Sequence, residues 1–255
     1  MNILRQRLAR GEKLSGTLVC LCDPCLCEIF GHLGYDFIWI DTEHTYLSYK
    51  DVLIHLNAAR SVGTPAIVRL PQNDPTATKK ILEMGPEGII FPMVRTADEV
   101  RELIAQTLYP PEGVRGFGPM RAIGYDACTA ADYVQSGNLD LCRFVQIEHT
   151  DCIEELEEIA QIPYIDGFIF GPNDLSGSMG KLGRVFDGDV TESIKKAVAV
   201  LRKYKKTVGL AGGYSPETLK HWAEFGIDLL AAGADWNFLC DMGREVLARM
   251  RTYHK

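Results

Sequence analysis

No stretch of this 255-residue sequence approaches the roughly 20 consecutive apolar residues that a membrane-spanning helix needs, so no membrane partner is expected. Nor is there a basic stripe. The 27 Lys and Arg residues are scattered among 34 Asp and Glu, the net charge is −7, and a phosphate backbone would be repelled overall. Nucleic acid is therefore not an expected partner. The opening MNILRQRLARGEKLSG lacks an apolar core followed by a small-residue cleavage site, so it does not resemble a secretory signal, and a cytoplasmic location is expected. Ile3, Leu4 and Leu8 have the spacing of a short amphipathic helix instead. No repeat, low-complexity stretch or linker interrupts the chain, which reads as one domain over 1–255.

Cysteine is plentiful: there are eight. Without a secretory signal they read as reduced thiols rather than a disulfide framework. Cys20, Cys22, Cys25 and Cys27 crowd together, and four thiolates could complete a tetrahedral zinc shell. Their spacing differs from the two-residue knuckles of such sites, so small buried or loop thiols are the plainer alternative.

Short β-rich runs alternate with helical ones. The strand candidates are TLVCLC (17–22), FIWID (37–41), AIVRL (66–70), GIIFP (88–92), RFVQIE (143–148), GFIFG (167–171), TVGLA (207–211) and DLLAAG (228–233). Helical spacing occupies Tyr49 to Val62, Pro75 to Met84, Ala97 to Leu108, Cys152 to Ala160, Val190 to Lys203, Pro216 to Phe225 and Trp236 to Met250. Eight alternations with nearly continuous apolar strands favour an α/β fold, a single closed (β/α)₈ TIM barrel; a doubly wound open sheet is the weaker alternative. The connections 109–141 and 171–189 are too long for ordinary loops and are expected to serve the site.

In such a barrel the chemistry sits at the C-terminal strand ends. Those ends carry Asp41, Glu43 and His44, then Arg69, then Gln146, Glu148 and His149, then Gly171, Pro172, Asn173 and Asp174. Glu148 and Asp174 offer hard oxygen ligands suited to Mg²⁺ or Mn²⁺; capping a helix or pairing with arginine is the competing role for each. His44 is either a catalytic imidazole oriented by neighbouring carboxylates or a packed surface histidine. Arg69 ends an apolar strand, where a guanidinium can hold carboxylate or enolate oxygens. No strand candidate ends in lysine, as a Schiff-base aldolase would require, and Lys181 lies in a loop.

The segments GYDFIWIDTEH (34–44), VRLPQNDP (68–75), FPMVRTADEV (91–100), YPPEGVRGFG (109–118), VQIEH (145–149) and GPNDLSGSMG (171–180) together resemble the HpcH/HpaI aldolases, metal-dependent pyruvate aldolases. The resemblance implies Glu148 and Asp174 as ligands of a divalent ion (Mg²⁺, Mn²⁺ or Co²⁺), His44 in proton transfer through a bound water, and Arg69 holding pyruvate and its enolate. Asp41 and Gln146 become supporting residues, and the backbone around Gly171, Pro172 and Asn173 is placed to meet a substrate carboxylate. Where the family pairs an aspartate with the catalytic histidine, this chain has Glu83, in ILEMG. The resemblance also implies a homo-oligomer, a hexamer of dimers that exchange their last helix. Leu239, Met242, Val246 and Met250 fit such a buried face, and packing on their own barrel fits them as well.

The expected activity is cleavage of a 4-hydroxy-2-oxo acid to pyruvate and an aldehyde. Two other functions remain: an acyl-CoA lyase of the citrate or malyl-CoA type, which needs basic residues at its mouth, and a non-catalytic keto-acid-binding barrel.

Overall fold

In the computed structural model, which describes residues 2–254, eight parallel strands close into a ring in chain order. They are β1 (Leu14–Val19), β2 (Phe37–Asp41), β3 (Ala66–Arg69), β4 (Gly88–Phe91), β5 (Cys142–Ile147), β6 (Gly167–Phe170), β7 (Thr207–Gly212) and β8 (Leu229–Ala234). Closure is made where β8 pairs with β1, Leu14 opposite Leu229, so the open sheet is excluded. No helix among the described residues is long and apolar enough to cross a membrane.

Around the ring run α2 (Cys25–His32), α3 (Tyr49–Ser61), α4 (Pro75–Glu83), α5 (Ala97–Ala105), α6 (Ala130–Asp140), α7 (Thr150–Glu154), α8 (Leu156–Ile159), α9 (Pro172–Ser178), α10 (Gly188–Lys203) and α11 (Pro216–Ala223). Local chemistry starts several of them. The Ser48 hydroxyl accepts from Asp51 N while the Asp51 carboxylate accepts from Ser48 N, a capping box that opens α3. Asp74 caps α4 and is followed by Pro75, whose missing N–H costs nothing in a first turn.

Two helices lie where long loops were expected: α6 within 109–141 and α9 within 171–189. The first strand also differs, beginning at Leu14 and ending at Val19 rather than running through Cys22. Gly16 belongs inside the strand because a Cβ there would lie 2.4 Å from the Phe37 ring. Beyond Val19 the chain leaves the ladder because the Cys20 and Leu21 N–H groups donate to Asp235 Oδ2, at 2.8 and 2.9 Å.

Side chains alternate along each strand, which sorts the core into two parts. Ile38, Ile40, Val68, Val145, Ile147, Phe168 and Phe170 face outward against the helices. Leu14, Phe37, Trp39, Ile67, Ile90, Phe144, Ile169 and Leu229 fill the barrel interior. Fully burying one such side chain contributes roughly 1.5–3 kcal/mol. The short helix α1 (Ile3–Ala9) closes the N-terminal end of the barrel: Leu4 joins the interior cluster, and Arg5 Nη2 donates to Leu141 O at 2.6 Å. The plug leaves the C-terminal end as the open one.

The last helix, α12 (Asp235–Tyr253), buries only Asp235 among its residues. Leu239, Met242, Val246 and Met250 are 58%, 56%, 42% and 50% exposed, so packing of this face on its own barrel is overturned. The exchange of this helix between subunits remains an expectation.

Candidate active site

Strand alternation explains why the polar residues converge. Phe37 and Trp39 point inward on β2, so Asp41, two residues on, does too; Ile67 places Arg69 inward on β3; Phe144 places Gln146 and then Glu148 inward on β5. Register adds the next level, because Asp41 and Arg69 are direct partners across β2 and β3. Asp41, His44, Arg69, Gln146, Glu148, Gly171, Pro172, Asn173 and Asp174 all line one cavity of about 530 Å³ at the C-terminal end. Beneath Arg69 lies the buried Trp39 ring of the interior core, whose centroid is 5.3 Å from the guanidinium carbon.

Arg69 is locked in place. Its Nε and Nη2 donate to Asp41 Oδ1 and Oδ2 at 3.0 and 2.6 Å, and Nη1 lies 2.9 Å from Glu43 Oε2. Burial alone would lower its basicity, but Asp41, Glu43 and Glu148 reverse the balance and raise it. Asp41 also accepts from Glu43 N at 3.0 Å, which shapes the turn carrying His44. His44 is exposed, with Nε2 3.6 Å from Glu43 Oε2. Burial raises the pKa of Glu43, against the pull of Arg69 and His44.

Glu148 is 1% exposed. Its Oε1 accepts from Gln146 Nε2 at 2.7 Å and its Oε2 from Met93 N at 2.9 Å. Removal from water pushes its pKa up to about 7, and Glu43 and Asp174 add to the rise against the Met93 N–H and Arg69. Gly171 permits this packing, because a Cβ there would lie 2.5 Å from Glu148 Oε1. Gln146 Oε1, also buried, has no hydrogen-bond partner among the described residues.

The donor chemistry fits a hard divalent cation. Three carboxylates, Asp41, Glu148 and Asp174, line the cavity with Arg69 as the one permanently cationic side chain, and Asp41 already engages that guanidinium. Among the described residues, Glu148 and Asp174 are the cavity carboxylates without an ion-pair partner. Among the described residues no cluster of three or more His, Cys, Asp or Glu is preassembled for a metal, so the pair would fill a minority of an octahedral shell and leave positions for water and substrate oxygens. The same observation removes the four-cysteine zinc alternative. Cys22 and Cys25 are exposed, Cys27 is buried in the outer core, and Cys20 lines the cavity.

Two expectations need correction. Glu83 is the last residue of α4, at the end of the barrel where helices lead into strands, and Arg115 Nη2 lies 3.3 Å from its Oε1. His44 follows a strand at the opposite end, so one chain does not bring the two together. The Gly171 N–H donates to Ile147 O at 3.1 Å and Pro172 has no N–H, so of the loop's expected donors to a substrate carboxylate Asn173, in the first turn of α9, is the one that stays an expectation. Lys181 pairs with Asp187 and Asp189 and is not among the cavity residues.

Cys20, Leu21, Trp236 and Asn237 line the opposite wall of the cavity. Of these, Leu21 and Asn237 escaped the sequence reading, and strand-end position was the signal for them. Asp235, buried between them, accepts from three backbone N–H groups, those of Cys20, Leu21 and Trp236.

A model of the HpcH/HpaI aldolase/citrate lyase family matches residues 15–226. The chain belongs to this family. A hydroxypyruvate/pyruvate aldolase of Roseovarius nubinhibens is 32% identical over 251 residues, covering 98% of this chain and 97% of the relative. A 4-hydroxy-2-oxo-heptane-1,7-dioate aldolase of Shigella sonnei is 32% identical over 248 residues, covering 97% and 94%. The crystal structure of a HpcH/HpaI aldolase/citrate lyase family protein from Burkholderia cenocepacia superimposes with a TM-score of 0.92 at 30% identity, over 98% of this chain and all of that one. For this HpcH/HpaI protein the relatives support an aldolase, a lyase, as the class of activity.

Proposed function

We propose that this HpcH/HpaI protein is a divalent-metal-dependent aldolase that reversibly cleaves a 4-hydroxy-2-oxo acid into pyruvate and an aldehyde. The observation that carries the reading is the pair Glu148 and Asp174, carboxylates without a cation in a cavity that also holds a buried arginine. They would hold Mg²⁺, Mn²⁺ or Co²⁺, and the ion, when bound, supplies Lewis-acid polarisation of the substrate's keto oxygen.

The remaining steps fall to the chain's own side chains. Asp41 occupies two of the five N–H donors of Arg69 and Glu43 Oε2 lies 2.9 Å from Nη1, so the N–H groups these two acids leave over are the ones that meet substrate carboxylate and enolate oxygens. Preorganised donors of this kind stabilise charge as it develops. His44 Nε2 takes the proton of the 4-hydroxyl, the C3–C4 bond breaks, and its electron pair enters the enolate as the aldehyde leaves. Return of the proton to C3 completes pyruvate. Gln146 orients Glu148 through its amide N–H. Among the described residues no lysine lines the cavity, in keeping with a mechanism that needs no Schiff base.

A coenzyme A thioester carries phosphates that call for Lys or Arg at the mouth, and Arg69 is buried against Asp41, which counts against the acyl-CoA alternative. All eight cysteines are unpaired, in keeping with a cytoplasmic protein. The exposed apolar face of α12 supports a homo-oligomer in which a second copy covers it.

The test is pyruvate in D₂O with chelated, then metal-resupplied, protein, followed by loss of the methyl proton signal. Metal-dependent exchange that vanishes in Glu148→Ala and falls sharply in His44→Ala is expected. Absence of exchange with every metal, in folded protein, overturns the reading.

A further inference from the structure

The cavity is divided by charge. Going round the ring, the acidic and basic side chains that line the cavity, Asp41, His44, Arg69, Glu148 and Asp174, come from the stretch that runs from β2 through α9. The contiguous remainder, β7, β8 and β1 with the residues that follow them, contributes Leu18, Cys20, Ala211, Gly212, Trp236 and Asn237 to the wall, none of them charged. The nearby acid, Asp235, is buried and committed to the N–H groups of Cys20 and Leu21. Burial pushes the Cys20 thiol up to about 12, so it presents a neutral sulfur at physiological pH. Asn237 Oδ1 accepts from Ala234 N at 3.1 Å, which leaves its amide N–H₂ as the polar donor of this wall.

Resting on the aldolase reading above, we infer that the aldehyde partner is an uncharged one, seated on the neutral wall of β7, β8 and β1, and that aldehydes ending in a carboxylate are selected against. The ionic side can hold the keto-acid half of the substrate, and the aldehyde half must then extend to the opposite wall. Among the described residues of this chain a terminal carboxylate there finds no guanidinium or ammonium, only Trp236, aliphatic carbon, a thiol and one amide. A desolvated carboxylate without a partner loses on the order of tenfold or more in kcat/KM against a neutral analogue.

The experiment compares butanal with succinic semialdehyde, which have four carbons each and differ in the terminal group, as acceptors for pyruvate with metal-loaded full-length protein. Pyruvate exchange in D₂O without aldehyde is run in parallel. Exchange together with at least a tenfold preference for butanal is the expected result. Trp236→Arg, which places a cation on the neutral wall, should shift the ratio toward succinic semialdehyde; Cys20→Lys repeats the test without touching α12, and exchange reports that each variant is folded. Exchange with equal or greater use of succinic semialdehyde overturns the inference and leaves the aldolase reading standing. Loss of exchange in the wild type overturns both.

Discussion

Replacing Glu148 by glutamine tests whether the cavity stores an uncompensated charge. The shape is retained: the new amide can accept from Met93 N through its oxygen and donate to Gln146 Oε1, the atom that lacks a partner. Raising the pKa from 4.5 to about 7 makes ionisation of Glu148 in the folded, metal-free protein cost roughly 3 kcal/mol more than in the unfolded chain. The sign follows from proton counting. Below about 4.5 both states hold the proton and the group has no effect; between 4.5 and about 7 the folded state binds more protons than the unfolded one, so stability falls as pH rises; above about 7 the loss is complete. Chelated wild type and Glu148→Gln should therefore unfold in urea with similar stability near pH 4.5, and the variant should be the more stable by up to roughly 3 kcal/mol at pH 8. Added Mg²⁺ or Mn²⁺ should stabilise the wild type and leave the variant almost unmoved. A difference between the two proteins that stays constant across pH would refute the argument that Glu148 is a desolvated, unpaired carboxylate.

Gly171→Ala puts a Cβ 2.5 Å from Glu148 Oε1 and 3.1 Å from Gln146 Nε2, so calorimetry should show metal affinity weakened about tenfold or more with the circular dichroism unchanged. Wild-type affinity in that variant would show that the carboxylate is free to move. Arg69→Lys keeps the charge but loses the fork that grips Asp41, and kcat/KM should fall about 100-fold or more in steady-state assays. A loss of less than threefold would mean that charge alone suffices. Met242→Arg places a cation on the exposed face of α12, and sedimentation should register a smaller assembly than the wild type; an unchanged assembly would exclude this face as an interface.

How much was legible in the sequence depended on whether a local pattern carried the information. FIWID and RFVQIE are apolar runs that end in polar residues at the C-terminal strand ends, where a barrel carries its chemistry, so Asp41, Gln146 and Glu148 could be placed together before any coordinates. The start of β1 was hidden because Gly16 weakens a strand by propensity, and its reason is the ring of Phe37, its register partner on the neighbouring strand β2. Helices α6 and α9 were hidden by their glycines, which read as loop until the surrounding barrel supplies the packing. The pairing of Glu83 with Arg115 joins α4 to the connection after α5, and no spacing rule reaches that far.

The two ends of the barrel treat buried acid differently, and the difference locates function. At the plugged end Asp166 is raised by burial yet ion-paired with Arg5 at 2.8 Å and bonded to the Arg143 N–H at 2.8 Å, so its charge is answered within the chain. At the open end Arg69 answers Asp41, while Glu148 has an amide and a backbone N–H and no cation in hydrogen-bonding contact. Folding alone would favour replacing such a group by a neutral one. An acid left unanswered in the strand-end cavity, beside a buried amide oxygen that also lacks a partner, is an arrangement that a bound cation and substrate complete, and it places the unresolved electrostatics of this fold where the chemistry of a barrel occurs.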